Sequence, residues 1–136
     1  MAPMTEGSDP VELASTAGFA TTLESVVRAI DRAGLKIFAR IDHAAAAAAA
    51  GLAMPPTTVL LYGKTEGGTP IMLAAPNAAL DLPLRVLVRE EASGRTIVAF
   101  HRIASMLARI GAPEATWRRL EPAQQLLVEA VSSLAS

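Results

Sequence analysis

Two hydrophobic periods alternate along this chain, and the alternation constrains its fold more than any other feature. Apolar side chains first recur at the spacing of one helical face, at Leu23, Val26, Val27 and Ile30. From residue 35 to residue 41 they then occupy every second position, as in a half-buried strand. Because helix-forming and strand-forming segments follow one another, the pattern predicts an α/β fold.

Capping residues mark where the first two helices begin. Thr21 and Glu24 have the spacing of a capping box, which predicts the first helix over residues 21–33, ended by Gly34. Asp42 directly follows the strand and precedes a tract of seven alanines closed by a glycine. Asp42 is therefore predicted to cap the N-terminus of a short second helix.

The remaining segments complete an α/β order. Further strands are predicted at residues 11–16, 57–62, 84–90 and 95–100. Further helices are predicted at residues 70–75, 103–110 and from Pro122 onward. The order β-α-β-α-β-α-β-β-α-α predicts a two-layer sandwich in which helices pack on one mixed β-sheet of about five strands.

The chain has the length of one domain, at 136 residues. Residues 1–10 have the composition of a mobile leader, and residues 11–112 form the predicted α/β domain. Residues 113–136 are predicted to be a C-terminal helical extension. Its apolar stripe packs either on its own domain or on a second subunit.

Charge and composition exclude several classes of function. The chain has 12 basic and 13 acidic residues, without the basic excess of nucleic-acid-binding proteins. The absence of cysteine excludes disulfides, thiolate nucleophiles and iron–sulfur clusters. No apolar run approaches the roughly 20 residues of a membrane span, and the N-terminus lacks a basic signal region. We therefore expect a cytoplasmic protein with neither a nucleic-acid nor a membrane partner.

Three short segments in the middle of the chain carry a family resemblance. They are Ile41-Asp42-His43-Ala44, Gly68-Thr69-Pro70 with Met72, and Leu80-Asp81-Leu82-Pro83-Leu84. With these motifs in this order, residues 11–112 resemble the family catalogued as domain of unknown function 302. The resemblance implies a compact two-layer α/β domain that forms homodimers. It implies no activity, because none is assigned to the family.

Two positions depart from the pattern of that family. Lys64-Thr65 stands where the family typically has Asn-Pro, and Arg85 stands where it typically has Lys. Chemistry that depends on the family's Asn or Lys is therefore not expected of this chain.

The junction at Asp42 and His43 is the first candidate site. A helix N-terminus offers free amides that bind anions, here those of Ala44 and Ala45. The positive helix end also favours a neutral His43 imidazole, which can act as a base or a metal ligand. The alternative is structural: Asp42 only caps the helix and His43 only packs.

A second group of candidates follows the strand at residues 57–62. If this strand and the one at residues 35–41 are parallel neighbours, Lys64 meets an anionic ligand near His43; otherwise it is a solvated lysine in a turn. Asp81 either closes a turn or serves as the carboxylate partner of His43. The full set of predicted ligand-binding residues is His43, Ala44, Tyr62, Lys64, Thr69, Asp81 and Arg85.

These residues favour a homodimeric small-ligand-binding or accessory protein that takes an anion and has no assigned reaction. The alternative is an enzyme in which His43 is the general acid or base, oriented by Asp42 or Asp81. Lys64 or Arg85 would then stabilise negative charge.

Haem or metal binding is a third possibility. His43, His101 and Asp81 form a facial triad only if the fold brings them together. Two separated histidines without cysteine predict no metal site, and the sequence identifies no cofactor. A serine hydrolase is also poorly supported, because no serine lies in a G-x-S-x-G turn.

Overall fold

One five-stranded sheet organises residues 9–135, the part of the chain that the computed structural model describes. Its strands are β1 (Val11–Ser15), β2 (Lys36–Asp42), β3 (Thr57–Gly63), β4 (Leu84–Glu90) and β5 (Thr96–Phe100). They lie in the order β1-β5-β4-β3-β2. The predicted α/β class, the five strands and their alternation with helices are confirmed.

Every neighbouring pair of strands is antiparallel, so the predicted mixed sheet is wrong in this respect. The reason lies in the connection from β2 to β3. A parallel pair needs a crossover that returns along the whole strand, and β2 is roughly 20 Å long. Here the connection over residues 43–56 starts and ends at the same end of β2, because Asp42, the last residue of β2, pairs with Thr58 near the start of β3.

Six helices within residues 9–135 pack around the sheet, and all but the second contribute buried residues to the core on one face. They are α1 (Phe19–Arg32), α2 (His43–Ala49), α3 (Thr65–Ala74), α4 (Ile103–Arg109), α5 (Glu114–Trp117) and α6 (Pro122–Ser133), with 3₁₀ turns at Pro76–Leu80 and Arg118–Leu120. Alternate strand residues form the sheet side of the core, among them Leu60, Tyr62, Val86, Val88 and Val98. Within residues 9–135, no helix is both long enough and apolar enough to cross a bilayer.

Helix α1 begins two residues before the predicted capping box. Its N-cap is Gly18, and the Thr22 hydroxyl lies 2.7 Å from the hydroxyl of Ser15 in the core. Glu24 does not reach back to cap, because its carboxylate accepts a hydrogen bond from Arg28 one turn later. The predicted end is confirmed: Gly34 has a φ of +75°, the left-handed conformation that glycine adopts readily.

Helix α3 begins five residues before its predicted start at Pro70, which lies inside it. The longer helix brings Gly67 against the chain near the C-terminus. A β-carbon at Gly67 would lie 3.0 Å from Cδ2 of Leu120, closer than ordinary contact. Glycine at this position therefore lets α3 approach the turn before α6.

The C-terminal segment packs into the same core as the rest of the domain. Trp117, Leu127 and Val131 are buried, and α6 lies against α1 and β1. The predicted extension thus packs on its own subunit in this structure. The predicted leader falls mostly outside the described residues, but Asp9 contacts the start of the α4 region through His101 and Arg102.

Candidate functional site

A cavity of about 500 Å³ opens at the end of the sheet where β3 ends and β4 begins. Helix α3 forms one wall, and the 3₁₀ turn Arg118–Leu120 with the start of α6 forms another. Its volume falls within the range of pockets that hold small organic ligands. Most of its lining is apolar, including Leu35, Phe38, Met72, Leu82, Pro83, Leu120 and Leu126.

Three charged residues line the cavity, and two of them are cations. Lys64 lies at the junction of β3 and α3, and Arg119 lies in the turn before α6. Neither forms an ion pair with any residue between 9 and 135. Glu66 is the single carboxylate in the lining, and all three charged side chains are solvent-exposed. The charged lining is therefore net positive.

Tyr62 forms part of the cavity wall and joins it to α6. Its side chain is fully buried, and its hydroxyl donates a 2.7 Å hydrogen bond to the carbonyl of Ala123. Burial raises the pKa of Tyr62 above the usual value of 10.0, because a phenolate would lose its hydration. Tyr62 is thus a neutral structural residue of the site at physiological pH.

Three of the predicted ligand-binding residues meet at this cavity: Tyr62, Lys64 and Thr69. The other four, His43, Ala44, Asp81 and Arg85, are not in its lining. Arg85 follows the lining residue Leu84 on β4, and neighbouring strand residues point to opposite faces of the sheet. Arg85 therefore faces away from the cavity and is exposed.

His43 and Lys64 lie at opposite ends of the strands, which corrects the expectation that parallel strands bring them together. In the antiparallel register, Asp42 pairs with Thr58, whereas Gly63 pairs with Lys36 at the other end of β2. The separation along the strands is roughly 20 Å. One ligand of ordinary size does not contact both side chains.

Asp42 is an N-cap, as predicted. Its Oδ1 accepts a 2.8 Å hydrogen bond from the Ala45 amide at the start of α2. His43 beside it is exposed and is not among the residues that line the cavity. Asp81 precedes β4, whose first residue pairs with Tyr62, so it lies at the Lys64 end of the sheet and not beside His43. Asp81 is therefore not the partner of His43, and Asp42, the other predicted partner, is engaged as the helix cap.

His101 is held in a contact that the sequence did not indicate. Its Nδ1 lies 3.0 Å from Oδ2 of Asp9, and the Arg102 amide donates to Oδ1 of Asp9 at 2.8 Å. Partial burial works to raise the pKa of Asp9, but the hydrogen bonds from Arg102 and His101 outweigh it and lower that pKa. Among residues 9–135, no three potential metal ligands lie together, so the His43–His101–Asp81 triad is not formed.

Sequence reasoning missed the half of the cavity that comes from distant segments. Phe38 lies within the strand predicted at residues 35–41, and Arg119, Leu120 and Leu126 lie in the predicted C-terminal extension, so no local pattern brings them together. One local signal was present in the adjacent glycines at positions 67 and 68. Two glycines within a helix are unfavourable unless another chain segment approaches closely, as Leu120 does here.

Comparison with known protein families decides the classification. Residues 11–134 match the family described as "Domain of unknown function DUF302". The chain belongs to the DUF302 family. The match includes the C-terminal helices that form one wall of the cavity.

A solved structure confirms the DUF302 fold. It is described as the crystal structure of an uncharacterized conserved protein DUF302 from Bacillus stearothermophilus. The two chains superpose with a TM-score of 0.77, covering 90% of this DUF302 chain and 95% of the other. Their sequences are 13% identical, so the similarity establishes the fold alone.

Two proteins with similar sequences are named as ion channels. They are the proteins named fluoride-specific ion channel FluC 1 from Brucella suis biovar 1 and from Brucella abortus biovar 1. Each is 38% identical over 85 residues, or 62% of this DUF302 chain. The matched region makes up 34% and 32% of the two relatives, so the chain spans about a third of their length.

Proposed function

We propose that this chain is a homodimeric accessory domain of the cytoplasm that binds a small anionic ligand in the cavity beside β3 and α3. The observation that carries the proposal is a largely apolar cavity whose charged lining is net positive. Apolar walls with a few polar groups are typical of small-molecule sites. Binding without catalysis is favoured because the candidate base, His43, lies at the other end of the sheet.

The accessory role is supported by the way the matched region occurs in relatives. In the two Brucella proteins it is about a third of a longer chain that is named as an ion channel. A domain attached to a transport protein can bind a small ligand beside it.

Exposed apolar surface supports the homodimer that the family resemblance implies. Helix α2 has no buried residue, although a seven-residue helix is too short to be stable in isolation. Ile41 and Leu52, on either side of it, are 42% and 66% exposed. Val59 and Leu87 lie on the sheet face away from the core and are half-buried. A second copy packed over these residues would remove them from water.

Native mass spectrometry of the freshly purified protein tests the proposal. We expect a dimer that carries a defined extra mass, and we expect mild denaturation to release that mass. A monomer at micromolar concentration would contradict the homodimer. A chain that carries no passenger and binds neither neutral nor anionic organic probes would contradict ligand binding.

A further inference from the structure

We propose that the ligand of this cavity is a medium-chain carboxylate. The carboxylate lies at Lys64 and Arg119, and the alkyl chain lies against Phe38, Met72 and Leu120. This inference rests on the proposed ligand-binding function and adds the chemical class of the ligand. It is argued from the charge, the lining and the volume of the cavity.

The charges of the cavity favour one small anionic group. Lys64 and Arg119 come from separate elements, and within residues 9–135 neither has an acidic partner. A guanidinium and an ammonium both donate to carboxylate oxygens, and such charge-assisted hydrogen bonds are among the stronger polar contacts. Glu66, which also lines the cavity, opposes a ligand of higher negative charge.

The lining excludes an inorganic anion as the natural occupant. Fluoride, phosphate or sulfate would leave the apolar side chains of Phe38, Met72 and Leu126 facing water or empty space. A small hydrated anion also gains nothing from apolar walls, because losing its water is costly. The apolar part of the site therefore requires an apolar part of the ligand.

The volume sets the length of that apolar part. A cavity of about 500 Å³ holds roughly 16 water molecules at the volume that water occupies in the liquid. An alkyl carboxylate of about eight to twelve carbons fills roughly half to three quarters of this space while its head group stays at the cations. Tyr62 and Thr69 add hydroxyls to the wall, but the Tyr62 hydroxyl already donates to Ala123.

The test measures dissociation constants of the intact protein for a matched series of probes, by isothermal titration calorimetry below micelle-forming concentrations. Hexanoate, octanoate and decanoate vary the chain, and decanol removes the charge. Acetate and fluoride test the charge without a chain. Each methylene is expected to strengthen binding up to about fourfold until the cavity is full. Decanoate is expected to bind roughly tenfold more tightly than decanol.

Charge variants test where the carboxylate lies. Lys64→Met and Arg119→Met keep an apolar stem and remove one charge each. Each is expected to weaken decanoate binding roughly threefold and to leave decanol binding unchanged. Arg95→Met is the matched control, because Arg95 is an exposed arginine in the β4–β5 hairpin at the other end of the sheet.

A size variant tests where the chain lies. Met72→Ala shortens a side chain of the apolar wall and so enlarges the cavity, and the preferred probe is expected to change from decanoate to dodecanoate. A merely structural effect of the substitution would weaken all probes by the same factor.

The outcomes separate the ligand class from the proposed function. If decanol binds as tightly as decanoate, the carboxylate inference is wrong and the cavity is still a ligand site. If chain length has no effect and fluoride or acetate binds as well as decanoate, the inference that the ligand has an alkyl chain is wrong. If no probe binds to the protein, both the inference and the proposed binding function fail.

Discussion

At the scale of single residues, Tyr62 shows how a strand position acquires a role from distant contacts. Its place on β3 predicts only that it faces one side of a sheet. In the fold it is fully buried, lines the cavity, and donates a hydrogen bond to Ala123, 61 residues away. Because Tyr62 is the only tyrosine of the chain, its ionisation can be followed without interference from another phenol.

The alkaline titration of Tyr62 is the first prediction. Burial holds its pKa above 10.0 in the folded protein, whereas an unfolded tyrosine ionises near 10. The contribution to stability is therefore complete below about pH 10 and is lost as the pH rises above that value. We expect the near-ultraviolet absorbance of phenolate to appear only together with unfolding, followed by circular dichroism. Phenolate absorbance near pH 10 with the fold intact would contradict the burial.

Tyr62→Phe is the control for this titration. It removes the titrating group and the hydrogen bond to Ala123 while keeping the ring in the core. We expect the free energy of unfolding at neutral pH to fall by about 1–2 kcal/mol. We also expect the decrease in stability above pH 10 to become shallower than in the parent protein.

At the scale of elements, Gln124 fixes the position of α6. Its side chain is buried, accepts a hydrogen bond from the Ile103 amide at 3.1 Å, and donates one to the His101 carbonyl at 2.7 Å. One glutamine thus satisfies two backbone groups where β5 passes into α4. Because α6 also carries part of the cavity wall, this contact connects its position to the site.

Replacement of Gln124 gives the prediction at this scale. Gln124→Ala leaves the Ile103 amide and the His101 carbonyl without their side-chain partner. We expect the free energy of unfolding to fall by about 2–4 kcal/mol in chemical denaturation. The neighbour Gln125 is exposed, so Gln125→Ala is expected to change stability by no more than about 0.5 kcal/mol. Equal effects of the two substitutions would show that the buried contact is not what fixes α6.

At the scale of the whole molecule, local patterns predicted the elements but not their arrangement. Strand periodicity at residues 35–41 and 84–90, and the helical stripe after residue 103, placed these elements correctly because their signals lie within one segment. The direction of β2 relative to β3 depends on which end of the sheet the connection through α2 leads to, and no periodicity encodes it. The cavity was missed for the same reason, since Phe38, Lys64 and Arg119 meet only after folding.

The proposed homodimer gives the prediction at this scale. Ile41 is 42% exposed beside α2, so burying its remaining surface is worth roughly 1 kcal/mol per subunit, and a twofold interface contains two copies of it. Ile41→Lys should therefore weaken dimerisation by a factor of about 10 to 100, measured by sedimentation equilibrium, without loss of the circular dichroism of the fold. Leu80→Lys is the matched control, because Leu80 is 73% exposed but lies before β4, at the opposite end of the sheet. If Leu80→Lys dissociates the dimer and Ile41→Lys does not, the second copy packs at the cavity end of the sheet. The cavity would then belong to the interface between the two subunits, and the α2 surface would need a different partner.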